Sequence, residues 1–384
     1  MNWSKSILFA SAAALALSAA AARAENMPKR IGYVTNYATH EWYQNVIKGM
    51  HARAKELGIE LEVQDANLDI AKQVSAAEDF MAKGVDVLIV TPVNEEGVVP
   101  LLRQAKSNDV PVVLEGNPVK GMTTMVAICD YDTGYTAGVE AGKYAKEKLG
   151  GKAQVMNVGL PLLSATVLRS QGFMDGLKTI IPDAVMVHDL DGGGNPDRAL
   201  EVSAAALAKN ADINIIYGIN DSSSLGGLQA WKAAGKSQDN LLTVGTGGEG
   251  LAFINAIQNE PSYRIEAAMF PEKEGYTAID AAVKLFNGEE VPEHIVSPTA
   301  PMKGDDWKKY YDYDGTVRTI KWCQCAPAAG KVHENLRRSE EVRISGALPA
   351  RREGQGSDAD GKQVNRPVSG LQVSIWRRRR RRPE

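Results

Sequence analysis

Four stretches of this 384-residue chain set amide, carboxylate, guanidinium or aromatic groups where an apolar run gives way to polar residues. The first, "GYVTNYATHEWYQNV", holds Asn36, His40, Trp42 and Tyr43. "LEGNP" holds Glu115 and Asn117, "LLSATVLRSQGF" holds Ser164 and Arg169, and "YGIND" holds Asn220 and Asp221. This mixture suits a polyhydroxylated ligand. Aromatic rings cover the C–H faces of a sugar, and planar Asn, Asp and Arg groups each take two neighbouring hydroxyls. A site built this way rejects analogues that lack a hydroxyl, because its buried polar groups would go unpaired. Trp42 and Tyr43 would close one face, with one of the two also expected to anchor the next helix. His40 can donate to a hydroxyl without catalysing anything. Arg169→Ala is expected to weaken binding while leaving the fold intact.

No Ser-His-Asp order stands out, nor do paired carboxylates at a shared strand end, so binding without turnover is expected, with no cofactor and no metal. One stretch argues otherwise. "GTGGEG", Gly245 to Gly250, fits G-x-G-x-x-G and has Glu266 downstream, the pattern of an NAD-dependent enzyme. It sits late in the chain rather than in a first nucleotide-binding unit. The glycines are better explained by a tight turn that lets backbone approach a ligand.

The elements that must position these groups alternate with little variation from 29 to 290. Strand-like runs such as "RIGYVTN", "VDVLIVTP", "VPVVLEG", "AQVMNVG", "INIIYGIN" and "LLTVGTG" each precede 10 to 17 residues of helical periodicity, for example 42–57, 95–107, 164–180 and 272–287. An unbroken apolar run reads as a strand buried on both faces. Strands alternating with helices predict α/β architecture with parallel sheets. A single open sheet of so many strands would be unusual, so two doubly wound lobes are predicted. Ligands of such sheets bind beyond the carboxyl ends of the strands, where the four stretches lie.

The first 24 residues read as a secretory signal peptide: Lys5, a short apolar stretch, then Ala22-Arg23-Ala24. Residues 25–325 carry 28 basic and 40 acidic side chains, an acidic body that argues against nucleic acid as a partner. Three cysteines, Cys129, Cys323 and Cys325, form no evident disulfide framework. Residues 326–384 end in "RRRRRRPE" and read as a disordered basic tail, non-native in character.

The exported start, the first loop with its adjacent aromatics, and "R..GF" at Arg169–Phe173 paired with Asn220–Asp221 resemble the periplasmic sugar-binding proteins of the ribose-binding type. The resemblance runs from Lys29 to Trp322. It implies a type I periplasmic binding protein fold, two lobes joined by three crossings near Cys129–Asp130, Met269–Phe270 and Ile295–Ser297. The lobes would be 25–130 plus 270–296, and 131–269 plus 297–325. It implies a periplasmic monomer that passes a sugar or polyol to a membrane ABC permease, or presents it to a chemoreceptor or kinase. Asn36, His40, Trp42 and Tyr43 fall on first-lobe contacts of the family, Arg169 and Asn220 on second-lobe contacts. Glu115 and Asn117 stand where the ribose binder has Asp-Arg. Gly247 replaces a family aspartate, Met269 a family glutamine, and the "DGGGNP" loop lacks the second-lobe aromatic. Another pentose, a polyol, a cyclitol or a furanose-like signal molecule fits these departures better than ribose.

Overall fold

The computed structural model describes residues 26–209 and 212–321. The signal peptide, Cys323, Cys325 and the basic tail lie outside them. No helix of the described residues is long and apolar enough to cross a membrane.

Each lobe is built on one six-stranded sheet with helices on both faces. The first contains β1 (Arg30–Thr35), β2 (Glu60–Asp65), β3 (Val87–Val90), β4 (Val112–Glu115), β5 (Thr124–Ala127) and β11 (His294–Val296), in the order β2-β1-β3-β4-β5-β11. The second contains β6 (Gln154–Gly159), β7 (Val185–Asp191), β8 (Ile215–Gly218), β9 (Leu242–Gly247), β10 (Tyr263–Ala268) and β12 (Ala300–Lys303), in the order β7-β6-β8-β9-β10-β12. The two orders are equivalent strand for strand. All ladders of these two sheets are parallel except β10 with β12. That exception is forced. β11 runs parallel in the first sheet and leaves at its carboxyl end; continuing straight, the chain enters the second sheet from its carboxyl end and must run against it.

The helices start and stop where their ends are chemically satisfied. α1 (Glu41–Leu57) is capped by His40, carries Glu41 in its first turn, and ends at Gly58 with φ 71°. α2 (Ile70–Ala82) and α3 (Glu95–Ser107) are capped by Asp69 and Asn94. These lie on the first sheet with α9 (Pro271–Phe286). α4 (Asp130–Lys148), α5 (Ser164–Ile180), α6 (Pro196–Leu207), α7 (Asp221–Ala233) and α8 (Leu251–Asn259) cover the second. A hairpin of β13 (Tyr311–Tyr313) and β14 (Arg318–Ile320) follows the one-turn α10 (Trp307–Tyr310).

Four fully or nearly buried apolar clusters, one on each face of each sheet, hold the layers together. Several helix pairs touch backbone to backbone. A Cβ built on Gly134 or Gly138 of α4 would lie 2.0 Å from the carbonyl oxygen of Arg169 or Phe173 on α5. One on Gly49 of α1 would lie 1.9 Å from Glu272 O on α9. These contacts bring Arg169 beside the start of α4 and Glu272 beside α1.

The chain passes between sheets after β5, after β10 and between β11 and β12. Phe270, at the second passage, is a fully buried aromatic with φ 50°. A non-glycine residue in this left-handed region carries strain of about 1–2 kcal/mol. The sequence pattern misses β5, β11, β12 and the hairpin. Runs of three or four residues are too short to show a period, and their pairing depends on strands distant in the chain.

Candidate functional site

The first wall of the cleft sits at the carboxyl ends of β1, β3 and β4. Thr35 and Asn36 end β1, both buried. The Asn36 amide donates to Tyr43 Oη at 3.0 Å and to Pro92 O at 3.5 Å, while its Oδ1 has no partner. His40 caps α1, its Nδ1 accepting from Trp42 N at 3.1 Å. Burial lowers its pKa, so the ring is neutral with its proton on Nε2, free to donate. Trp42 is partly buried against the first-lobe core and lies close enough to Glu115 to affect its ionisation; it is both a helix anchor and part of this wall. Tyr43 is held neutral, chiefly by burial and next by Glu115.

Glu115 ends β4 and is fully buried. Tyr33 Oη and Thr91 Oγ1 lie 2.7 Å apart, and Thr91 Oγ1 donates to Glu115 Oε2. Its other oxygen and Glu274 Oε2 find no conventional donor. Glu274 faces the charge of Glu115 at close range. Burial raises both pKa values, and two carboxylates at one site cannot both ionise cheaply. Asn117 is half-buried, its backbone N–H bonded to Glu115 O at 2.9 Å.

The second wall lies at the carboxyl ends of β6, β8 and β9. Arg169 Nε donates to Asp130 Oδ1 at 2.7 Å and Nη1 to Ile219 O at 3.0 Å. Asn220 caps α7: Oδ1 accepts from Ser223 N at 2.8 Å and Nδ2 donates to Gly194 O at 2.9 Å. Its amide is thus largely used by the chain. Gly247 has φ 132°, and a Cβ there would lie 3.0 Å from Glu249 Oε1 and 3.1 Å from Asp221 Oδ1. Two carboxylates converge on the space that a side chain at 247 would fill. Met269 is fully buried, its N–H bonded to Gly247 O at 2.9 Å.

Asp221 accepts from Gly248 N at 3.2 Å and Glu249 N at 2.9 Å. The backbone amides that would cradle a pyrophosphate in a G-x-G-x-x-G turn are therefore already taken by the protein's own carboxylate. Asp221 also faces Glu266, which accepts from Tyr263 Oη at 2.7 Å. Burial pushes Asp221 up to about 6 and raises Glu266 well above the carboxylate range. Burial, then the neighbouring Asp221, lifts Glu249 to about 8.

Each lobe brings two carboxylates together, though not at a shared strand end: Glu115 at the end of β4 with Glu274 in the first turn of α9, and Asp221 at the start of α7 with Glu266 inside β10. Residues far apart in the chain meet only in the fold. Glu249, Glu266 and Glu274 went unread as site groups: the first two sit inside an apparent nucleotide motif, and Glu274 looks like a first-turn helix acid. Among the described residues no group of three His, Cys, Asp or Glu side chains is placed to hold a metal ion.

The walls meet. Asn45 of α1 donates to Glu249 O at 2.6 Å. Arg318 of the hairpin donates to Glu249 O at 2.8 Å and to Glu272 Oε1 at 2.6 Å, with its guanidinium 4.3 Å from the Tyr311 ring centre. A Cβ on Gly250 would lie 2.2 Å from Glu41 Oε2.

Residues 31–290 match the periplasmic binding protein domain family, and the chain belongs to it. Among its relatives, the ribose import binding protein of Bacillus subtilis is 28% identical over 272 residues, 70% of this chain and 85% of that protein. The galactofuranose-binding protein of Escherichia coli is 26% identical over 298 residues, 76% of this chain and 92% of that protein. A solved structure of an ABC transporter periplasmic solute binding protein from Actinobacillus succinogenes, with bound D-allose, superposes with a TM-score of 0.66 at 23% identity. It covers 73% of this chain and 99% of its own length.

Proposed function

We propose that this chain is a periplasmic solute-binding protein that captures a sugar or polyol between its lobes and hands it, unchanged, to an ABC permease. The observation that carries this reading is the pairing of two unlike walls at opposed strand ends. One offers aromatic faces and the other planar hydrogen-bonding groups. Asn36, His40, Trp42, Tyr43, Glu115 and Asn117 would contact the ligand from one lobe; Arg169, Asn220, Gly247 and Met269 would contact it from the other. The lobes, 25–130 plus 270–296 and 131–269 plus 297–325, would close about three connecting segments, as this architecture does when it switches. Only a ligand touching both lobes can bias the closed state a permease must recognise. The protein acts as a monomer, without nucleic acid and without turnover. The relatives' ligands, ribose and galactofuranose by name, support the ligand class.

The test is a thermal-shift screen of the purified protein against pentoses, hexoses, polyols and cyclitols, followed by mass spectrometry of the recovered ligand. A ligand that binds only the native state raises the melting temperature. A chemically altered ligand, or no shift with any of these classes, would contradict the reading.

A further inference from the structure

At its second passage the chain changes lobes within two residues. The ring of Phe270 is buried in the second-lobe core beside Tyr311, Trp307 and Ile320. Glu272 already belongs to the first lobe: it stands in the first turn of α9, its backbone pressed against Gly49 of α1. Between the two cores Phe270 holds its left-handed φ of 50°. A residue of this size keeps such a conformation only where its surroundings over-determine it.

Those surroundings are the C-terminal hairpin and the turn before it. The rings of Tyr310 and Tyr311 lie 5.0 and 6.0 Å from that of Phe270, centre to centre. Arg318 of β14 sits with its guanidinium 4.3 Å from the Tyr311 ring centre. Its Nη2 donates to Glu272 Oε1 at 2.6 Å and to Glu249 O at 2.8 Å. One nitrogen thereby ties the first-lobe side of the passage to the loop between β9 and α8 in the second lobe. No peptide crossing takes part, so the hairpin adds a non-covalent connection to the three covalent ones.

Strength alone does not account for this tie. The Arg318 and Glu272 side chains are 4% and 7% exposed, and Arg318 Nη1 and Glu272 Oε2 find no partner among the described residues. A buried ion pair short of hydrogen bonds gains little over apolar side chains of the same shape, because desolvation offsets the attraction. Its distinct property is direction. A donor fixed between two acceptors on different lobes admits one placement of those lobes, since hydrogen bonds weaken steeply when bent.

We propose that residues 307–320 clamp the second passage, holding the left-handed turn at Phe270 and with it the angle between the lobes, and that Arg318 is the positioning residue through which the clamp acts. The apparent Kd of any ligand held by both lobes is its intrinsic value divided by the fraction of molecules in the competent arrangement. The hairpin therefore tunes affinity without touching the ligand. The clamp does not depend on what the ligand is, and its test needs none.

The test compares the full-length protein with an Arg318→Met, Glu272→Gln double variant, which removes the tie without leaving a buried charge unpaired. Spin labels on non-natural amino acids replace Glu96 and Asp197, exposed residues in the first turns of α3 and α6. In the double variant the ligand-free distance distribution between the lobes should shift and broaden. Amide exchange over 269–274 should rise about tenfold or more as the turn opens locally, while β8 keeps its protection. An unchanged distance distribution would overturn the clamp. So would exchange that rises equally through β8 and β9, because the hairpin would then only stabilise the second lobe. Tyr310→Leu removes one gripping ring without touching a charge and should give the same pattern at smaller amplitude. If the double variant does not fold, this single variant decides, and unchanged distances and exchange in it would overturn the proposal.

Discussion

The two walls of the cleft stand on sheets of equivalent strand order yet offer different chemistry. The first-lobe wall is aromatic, with His40, Trp42 and Tyr43 gathered at the start of one helix. The second has no ring at the matching loop, where Gly192, Gly193 and Gly194 stand, and relies on Arg169, Asn220, Asp221 and Glu249. The walls also differ in how far they are committed before a ligand arrives. On the second wall Arg169, Asn220 and Asp221 already spend most of their hydrogen bonds on the chain itself. On the first, Asn36 keeps an unpartnered oxygen. The difference teaches that a polar residue at a strand end can be a structural brace and a ligand contact at once. Mutations on the two walls should then fail in different ways.

The largest effect should come from the second wall and should fall on stability. Arg169→Ala takes the 2.7 Å ion pair from Asp130, whose side chain is 16% exposed. Breaking a pair this well buried costs about 3–5 kcal/mol. This revises the expectation from sequence that the alanine variant would keep its fold. Denaturant melts should show the loss, and Asp130→Asn in the same chain should recover part of it. An unchanged midpoint would place Arg169 in the ligand site alone.

On the first wall the next largest effect should fall on binding. Trp42→Ala should weaken affinity by about 2 kcal/mol or more, the range of a buried aromatic anchor, as read by calorimetry. A variant that loses stability but binds normally would make Trp42 a core residue and erase the contrast.

Proton linkage comes third. Asp221 and Glu249 have folded pKa values raised to about 6 and about 8. An acid whose pKa is raised by folding binds more protons when folded, so stability falls as pH rises from the unfolded to the folded value. The ligand-free protein should therefore lose stability between pH 6 and pH 8, by at most about 2 kcal/mol for the one proton on Glu249. Glu249→Gln should flatten that slope in thermal melts. A slope unchanged by the substitution would move the linkage to another group.

The smallest effect separates cap from contact. Asn220→Ala should cost about 1 kcal/mol of stability as a lost helix cap. Asn220→Asp keeps the capping oxygen and should restore the melting temperature. If it does not restore binding, the amide nitrogen is what the ligand reads.

Much of the fold was legible in advance because its signals are local. Strands buried on both faces appear as unbroken apolar runs, "VLIV" in β3 among them, and helices begin at capping residues such as Asp69, Asn94 and Asn195. The polar groups at the strand ends could be found for the same reason. The carboxyl pairs could not. Glu115 meets Glu274, and Asp221 meets Glu266, through ladders and a sheet crossing that leave no periodic trace. The glycine seam between α4 and α5 was also invisible, since nothing in a single glycine says which backbone it will touch.

The third passage between the sheets has a kinematic consequence. From His294 to Lys303 the chain lies in the ladder of β5 at one end and of β10 at the other. Sliding one lobe along this segment would break ladder bonds in both sheets at once. Rotation about it breaks none. The relative motion of the lobes is thereby reduced from six degrees of freedom towards one, a swing about an axle. A ligand then needs to supply only enough free energy to choose an angle. Proline at Val126, the ladder partner of Ile295, would loosen the axle at one bearing. Distances between spin labels on the two lobes should then broaden in directions other than the swing.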